Sequence, residues 1–176
     1  MPQTVVQAST LPAAAEAVWA RAVTPEGIND ELRPLLRMTM PSSLRGKTIS
    51  EVPLGERLGR SWLLLFGLVP VDYDDLRLAE RDPGFRFLER STMLSMSAWE
   101  HERTVRAMGE GCEVTDRLTF QLRRPLAAVP GSARLAGAIV ARLFAYRHRR
   151  LARYWRAASA PRRRRGQAVV TPRRAR

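Results

Sequence analysis

The chain between residues 61 and 122 is β-like throughout, and from residue 85 onward its hydrophobic and polar positions alternate with a period of two, which is typical of β-strands. Three turn-forming segments interrupt this pattern, at spacings of roughly a dozen residues. They are RDPG (residues 81–84), LSMS (94–97) and MGEG (108–111). The pattern therefore predicts an antiparallel meander of strands joined by hairpin turns.

Two short helices are predicted between the first strand and the meander. TVVQAST (residues 4–10) has the pattern of a strand, and Thr10 is in position to cap a helix that follows it. A second helix is predicted to begin after Thr24, with Pro25 in its first turn, and to end before Pro34. The segment LRMTMP after this helix predicts a short strand.

The last predicted element is a helix over residues 132–158. At about 27 residues it would be ~40 Å long, which is long for a chain of this size. A helix of this length needs a broad apolar surface, and a curved antiparallel sheet provides one. The residues predicted to share its apolar face are Val140, Leu143, Phe144, Arg147, Leu151, Tyr154 and Trp155.

Composition predicts one soluble cytoplasmic domain over residues 1–158. The chain has 176 residues, no recognisable signal peptide, and an apolar run (residues 62–71) that is too short to span a bilayer. Its single cysteine, Cys112, excludes an internal disulfide, and its two histidines are too few for a histidine-based metal site. We therefore expect neither a metal nor a cofactor, and the oligomeric state stays open.

The net charge of +13 is concentrated in the segment after the last helix. Seven arginines lie in PRRRRGQAVVTPRRAR (residues 161–176), and Lys47 is the only lysine in the chain. We expect residues 159–176 to form a disordered tail that contacts anionic membrane or RNA only weakly. The distribution of charge does not predict a specific nucleic-acid partner.

Strand parity places several ionisable side chains on an apolar face. In GCEVTDRLTFQL, Asp116 shares a face with Leu118 and Phe120, and in FRFLERSTM, Glu89 shares a face with Phe85 and Phe87.

The strand between these two contains the segment WEHERT (residues 99–104). A tight turn at Gly109 and Glu110 pairs Arg103 with Asp116, which turns Trp99, His101 and Arg103 inward.

Isolated buried charges are unfavourable, so these groups must pair, bind water or bind a ligand. In one interpretation an Arg103–Asp116 pair closes one end of an ordinary core. In the other, His101, Arg103, Glu89 and Asp116 are the few polar groups of an apolar cavity that orients a ligand. The sequence favours the cavity and leaves the ordinary core open.

The order of these elements resembles the START-like superfamily, also called SRPBCC, whose helix-grip proteins include polyketide cyclases and lipid-transfer domains. The resemblance covers about residues 3–157, and four local strings are similar to those of its small bacterial members. They are ELRPLLRMTMP, GRSWLLLFGLVPVDYDD, FLERSTMLSMSAWEHERT and LFAYRHRRLARYW. The resemblance implies an α+β fold in which a curved antiparallel sheet of about seven strands grips the C-terminal helix around an apolar cavity.

We therefore predict a protein that binds a hydrophobic or amphipathic small molecule and is not necessarily an enzyme. The predicted ligand-binding residues are Met38, Met40, Leu64, Phe66, Tyr73, Phe85, Phe87, Glu89, Met93, Trp99, His101, Arg103, Asp116, Phe120, Val140, Phe144 and Arg147.

The alternative is an enzyme of the cyclase or aromatase type. There His101 would act as acid and base, Glu89 or Asp116 would set its protonation, and Arg103 would stabilise an oxyanion. The resemblance carries no shared catalytic motif, and fold alone does not establish an activity.

Overall fold

The computed structural model describes residues 1–44, 46–47 and 51–159, and its centre is a curved antiparallel sheet of seven strands. The strands are β1 (Gln3–Leu11), β2 (Leu36–Met38), β3 (Arg57–Leu65), β4 (Val69–Asp82), β5 (Arg86–Met93), β6 (Met96–Met108) and β7 (Gly111–Leu122). Their order across the sheet is β1-β7-β6-β5-β4-β3-β2. Consecutive strands from β2 to β7 are therefore neighbours, as a meander requires, and β1 pairs with β7 at the far edge.

Three α-helices complete the described part of the chain: α1 (Ala15–Ala22), α2 (Pro25–Leu32) and α3 (Ser132–Ser159). The long helix α3 packs across the sheet and contacts β1 and α2. The predicted α+β helix-grip architecture is confirmed. No helix among the described residues is long and apolar enough to cross a membrane.

The two predicted helix caps differ in outcome. Thr24 caps α2 as predicted, because its side-chain oxygen accepts the backbone N–H of Gly27 at 3.0 Å. The prediction for Thr10 is wrong, since β1 continues through Thr10 to Leu11 and α1 begins after Ala14 without a side-chain cap.

The three predicted turns separate β4 from β5, β5 from β6 and β6 from β7. A further hairpin turn, which was not predicted from the sequence, joins β3 to β4 at Phe66–Leu68. Phe66 and Gly67 there have φ values of 51° and 76°, and the Gly67 N–H donates to the carbonyl oxygen of Leu64 at 3.2 Å. The apolar residues on both sides of this turn conceal it in the sequence.

The predicted register of β6 and β7 is confirmed. Arg103 lies opposite Asp116 and Val105 lies opposite Val114. Trp99, His101, Arg103 and Val105 are buried, whereas the residues between them are at least partly exposed to solvent.

The core beneath α3 divides into clusters. At one end Phe144 and Val140 of α3 pack with Trp99 and the strand residues around it, and at the other end Leu151 packs with α1 and with Cys112. Tyr154 departs from the predicted apolar face: it is exposed, and the Arg21 guanidinium stacks over its ring at 3.8 Å. The division into a domain and a tail stays a prediction, because residues 160–176 lie outside the described residues.

Candidate functional site

A cavity of about 430 Å³ lies between the sheet and the helices α2 and α3. Its wall is mostly apolar, with leucine and methionine the most frequent apolar residues. The exposed residues Lys47, Arg77 and Ile139 belong to the wall and mark where the cavity reaches the protein surface. The volume lies within the range of about 300–1,000 Å³ that is usual for small-molecule sites.

The structure brings eleven of the predicted ligand-binding residues into the wall of this cavity. They are Met38, Met40, Phe87, Glu89, Met93, Trp99, His101, Arg103, Val140, Phe144 and Arg147. Their role in binding a ligand stays a prediction.

Three of the other predicted residues, Leu64, Phe66 and Tyr73, lie outside the cavity, contrary to the expectation from the sequence. Leu63 contributes to the wall instead, because it pairs with Met38, and a register shift follows it. Tyr73 packs edge-on against Trp62 at a centroid distance of 5.5 Å, away from the cavity, and Phe66 is exposed in the β3–β4 turn.

Phe85, Phe120 and Asp116 are also absent from the cavity wall. Phe85 lies in the turn before β5 with a φ of 59° and packs against Trp19. Phe120 is fully buried beside Trp99, and Asp116 is fully buried among side chains that include Arg103. Phe120 and Asp116 thus contact wall residues from the far side, whereas Phe85 belongs to the core cluster around Val105 and Cys112.

Arg103 is at the centre of a buried group of charges, which we call the paired cluster: Glu31, Arg103, Asp116 and Arg147, with His101 and His148 attached. Arg103 donates from Nε and Nη2 to the two carboxylate oxygens of Asp116, each at 2.7 Å. It also donates from Nη1 and Nη2 to the two oxygens of Glu31, each at 2.9 Å. Four of its five N–H groups are therefore committed within the protein.

Glu31 and His148 are the members of this cluster that were not predicted from the sequence to be site residues. Arg147, which was predicted to lie on the apolar face of the last helix, donates from Nη2 to Glu31 at 2.9 Å. Glu31 is buried on the same face of α2 as Gly27, one helical turn earlier. That spacing was the available signal, but an eight-residue helix is too short to show its buried face clearly.

The charges of the paired cluster set the pKa values of its acids. Burial alone would raise the pKa of Asp116, but the charge and hydrogen bonds of Arg103, with those of His101, hold this pKa well below its ordinary value. Burial also acts to raise the pKa of Glu31, but the positive charges of Arg103 and Arg147 outweigh it and lower this pKa below its ordinary value. Both carboxyl groups are therefore ionised.

Both histidines are held by Asp116. His101 Nε2 lies 2.9 Å from Oδ1, and His148 Nε2 lies 3.0 Å from Oδ2. An ionised carboxylate can only accept hydrogen bonds, so each histidine carries a proton on Nε2. His148 Nδ1 is bonded to the Ser9 hydroxyl at 2.9 Å, whereas His101 Nδ1 has no partner among the described residues.

The ring of His101 lies edge-on between two aromatic side chains of the cavity wall. Its centroid is 5.2 Å from that of Phe87 and 5.3 Å from that of Phe144. With Nε2 fixed by Asp116, Nδ1 is the only ring nitrogen that could exchange a proton or a hydrogen bond with a guest. The arrangement can thus supply one oriented polar group to an otherwise apolar pocket.

A second polar group of the wall, which we call the acid pair, consists of Asp74 on β4 and Glu89 on β5. Asp74 is only 4% exposed, and its Oδ1 has no hydrogen-bond partner among the described residues. Glu89 accepts the hydroxyl proton of Ser91 at 2.7 Å. Burial and the neighbouring Glu89 carboxylate raise the pKa of Asp74 well above its ordinary value.

Asp74 was not predicted from the sequence, because both faces of its strand are apolar near the unpredicted turn. Among the described residues, no group of three or more histidine, cysteine or acidic side chains has the arrangement of a metal site.

A family model described as "Domain of unknown function (DUF8410)" matches residues 9–155 of the chain. No curated protein matches the chain in sequence.

Several solved structures are similar in fold. A START superfamily protein from Mycobacterium smegmatis superimposes with a TM-score of 0.63 at 10% identity, over 89% of this chain and 99% of that one. The Zhui aromatase/cyclase from Streptomyces sp. R1128 superimposes with a TM-score of 0.64 at 14% identity, over 89% of this chain and 94% of that one. Protein TTHA0849 from Thermus thermophilus superimposes with a TM-score of 0.65 at 19% identity, over 90% of this chain and 100% of that one. These similarities establish the START-like fold.

Proposed function

The chain belongs to the DUF8410 family, whose description states no function, and on that premise we propose that it binds a hydrophobic or amphipathic small molecule in the cavity beneath α3. The observation that carries the proposal is the cavity itself, with its volume of about 430 Å³ and its apolar wall. Protein interiors are close-packed, and their voids rarely exceed the size of a water molecule. A space of this size is therefore better explained as a binding site than as a packing defect.

Two features of the wall support an amphipathic guest. Most of its surface can bury hydrocarbon, which contributes roughly 25 cal/mol for each Å² of apolar surface removed from water. Polar groups are concentrated at His101 beside the paired cluster and at the acid pair. Such a wall favours a guest that is mainly apolar and carries a small number of polar groups.

The proposal is tested by titrating the purified protein with Nile red, a neutral dye whose fluorescence rises in apolar surroundings. We expect saturable binding, and displacement of the dye by long-chain alcohols. The variant Ala136→Phe places a ring at the cavity wall and should weaken binding by at least about tenfold, which corresponds to 1.4 kcal/mol.

The matched control is Leu135→Phe, at the neighbouring position of α3, where Leu135 is 62% exposed. This variant should bind as the unmodified protein does. Absence of dye binding, or equal binding by Ala136→Phe, would reject the proposal. In a separate experiment, native mass spectrometry of the protein purified from its own host would identify any guest that copurifies.

A second candidate is an enzyme of the aromatase/cyclase type, which the free Nδ1 of His101 favours. His101 would transfer a proton at Nδ1, while Asp116 fixes the ring through Nε2. Arg103 is a poor oxyanion stabiliser in this scheme, because four of its N–H groups are already bonded to Glu31 and Asp116. Unchanged turnover of an identified substrate by His101→Gln would remove the candidate.

A further inference from the structure

Asp74 differs from the other buried carboxylates of the described chain in having no partner for one oxygen. Glu31 and Asp116 each accept several hydrogen bonds from arginine or histidine. Asp72, also in the cavity wall, accepts from the backbone N–H and the hydroxyl of Ser95. Among the carboxylate oxygens of the described residues, only Asp74 Oδ1 is buried without a donor.

The hydroxyl groups nearest to Asp74 along the sheet cannot satisfy it. Ser61 lies opposite Asp74 on β3, but its hydroxyl donates to the carbonyl oxygen of Thr39. The hydroxyl of Ser91 on β5 donates to Glu89 at 2.7 Å. A hydroxyl has a single proton to donate. The Ser91 side chain also hydrogen-bonds to Asp74 and lowers its pKa, but the Oδ1 atom of Asp74 still has no donor among the described residues.

Cations of the described residues do not compensate the acid pair either. Neither Asp74 nor Glu89 forms an ion pair with any described residue. Arg103 and Arg147 are held by Glu31 and Asp116 in the paired cluster. The remaining charged or titratable groups that line the cavity are Lys47, Asp72, Arg77 and His101. Of these, Asp72 adds further negative charge beside Asp74.

We propose that Asp74 and Glu89 form a subsite for a protonated amine carried by the guest, so that the natural ligand is a hydrophobic amine. This inference rests on the proposed function, since it assumes that the cavity is occupied. An ammonium group supplies up to three N–H donors and one positive charge, and the acid pair lacks both. The apolar wall of the cavity then accommodates the hydrocarbon part of the same molecule.

Binding of such a guest should release a proton from Asp74. Burial and Glu89 raise the pKa of Asp74 well above its ordinary value, so in the empty cavity its carboxyl group keeps its proton to a higher pH than an exposed aspartate does. A bound ammonium favours the ionised form of Asp74. The O–H bond of Asp74 then breaks, its proton passes to the buffer, and the ammonium keeps its own protons. Affinity for an amine should accordingly increase as the pH rises, up to the pH at which the amine itself loses its proton.

The test compares octylamine, octanol and octanoate, which share a chain and differ in head group. Isothermal titration calorimetry should show octylamine binding at least about tenfold more tightly than octanol, and octanoate more weakly than both; tenfold corresponds to 1.4 kcal/mol. Repeating the octylamine titration in two buffers with different ionisation enthalpies should reveal net proton release.

The decisive variant is Asp74→Asn, which keeps the size of the side chain and removes its ionisation. It should abolish the proton release and the preference for octylamine, measured as the ratio of octylamine to octanol affinity in the same variant. The matched control is Asp75→Asn on the same strand, since Asp75 is not in the cavity wall and pairs with Arg57 at 2.6 Å. Glu89→Gln provides a second variant of the pair, and should also reduce the preference for octylamine.

The outcomes separate this inference from the proposed function. If octanol binds and octylamine binds no more tightly, or if Asp74→Asn and Glu89→Gln both keep the amine preference, the subsite is rejected and the apolar cavity still has a ligand. If none of the three compounds binds and Nile red does not bind either, the proposed function itself fails.

Discussion

The paired cluster and the acid pair contribute to the same cavity, and both contain buried carboxylates. The two groups differ in whether these carboxylates have cations as partners. Glu31 and Asp116 share Arg103, which binds both with pairs of parallel hydrogen bonds, and Arg147 adds a second cation. Asp74 has no cation among the described residues and leaves one oxygen without a donor. The pKa values follow this difference, because those of Glu31 and Asp116 are lowered and that of Asp74 is raised.

The difference in pKa follows from which elements supply hydrogen-bond and ion-pair partners to each carboxylate. The paired cluster is assembled from α2, β6, β7 and α3, so helices add a carboxylate and a cation to what the sheet provides. The acid pair lies on β4 and β5 alone, and the nearby hydroxyls already have acceptors. A buried charge whose hydrogen-bond and ion-pair partners all come from the protein supports the fold. A buried charge that lacks such partners is available to bind a guest.

The largest effect is expected from breaking the paired cluster at Arg103. Arg103→Met leaves Glu31 and Asp116 buried without their shared cation, which should lower the free energy of unfolding by about 3–5 kcal/mol. Urea denaturation followed by circular dichroism measures this change. The control is Arg90→Met, because Arg90 is exposed and pairs with Glu100 on the surface at 3.2 Å. Surface pairs contribute about 0–1 kcal/mol, so a similar loss in the two variants would contradict the assignment.

A gain in stability is expected from removing the carboxyl group of Asp74. A buried polar atom without a partner costs about 1–3 kcal/mol, and Asp74→Leu replaces it with an apolar side chain beside an open cavity. The free energy of unfolding should rise by about that amount at neutral pH. Asp75→Leu, which instead breaks the ion pair with Arg57, should give no such gain. Equal changes in the two variants would mean that Asp74 has a partner in solution.

The smallest expected effect is the dependence of the free energy of unfolding on pH. The direction of this dependence differs between the paired cluster and the acid pair. Glu31 and Asp116 bind protons less tightly in the folded protein, so their stabilisation is lost as the pH falls below their ordinary values of 4.5 and 3.8. Asp74 binds its proton more tightly when folded, so its contribution is lost as the pH rises above 3.8.

Stability curves measured from acid to neutral pH test these signs. The Asp74→Asn variant should become progressively more stable relative to the unmodified protein as the pH rises. A Glu31→Gln variant should lose its difference from the unmodified protein as the pH falls. A difference between Asp74→Asn and the unmodified protein that does not change with pH would show that Asp74 titrates normally.

The sequence was sufficient for the fold and for one side of the site. The turn at Gly109 and Glu110 set the register of β6 and β7, and strand parity then placed His101 and Arg103 inward, with Arg103 opposite Asp116. A polar residue on an otherwise apolar strand face is a clear signal, because any slip in register would expose the whole face.

The other parts of the site lacked such a signal. Glu31 lies in the last turn of a helix of eight residues, where an acid gains nothing from the helix dipole, but so short a helix does not show its buried face clearly. Asp74 follows the apolar segment that contains the turn at Phe66–Leu68, and parity cannot be assigned where both strand faces are apolar. Leu64 and Tyr73 were placed in the wall for the same reason, whereas the structure places them outside the cavity.

The pairing of β1 with β7 has a consequence for how the protein folds. β1 lies at the edge of the described sheet, and the strand it pairs with there, β7, follows it much later in the chain, with Leu11 opposite Cys112. The hairpins from β3 to β7 close short loops, but β1 can join only after a long loop has closed, and such contacts form slowly. We expect β1 to dock after the rate-limiting step, so that Leu11→Ala accelerates unfolding in stopped-flow experiments and leaves the refolding rate nearly unchanged.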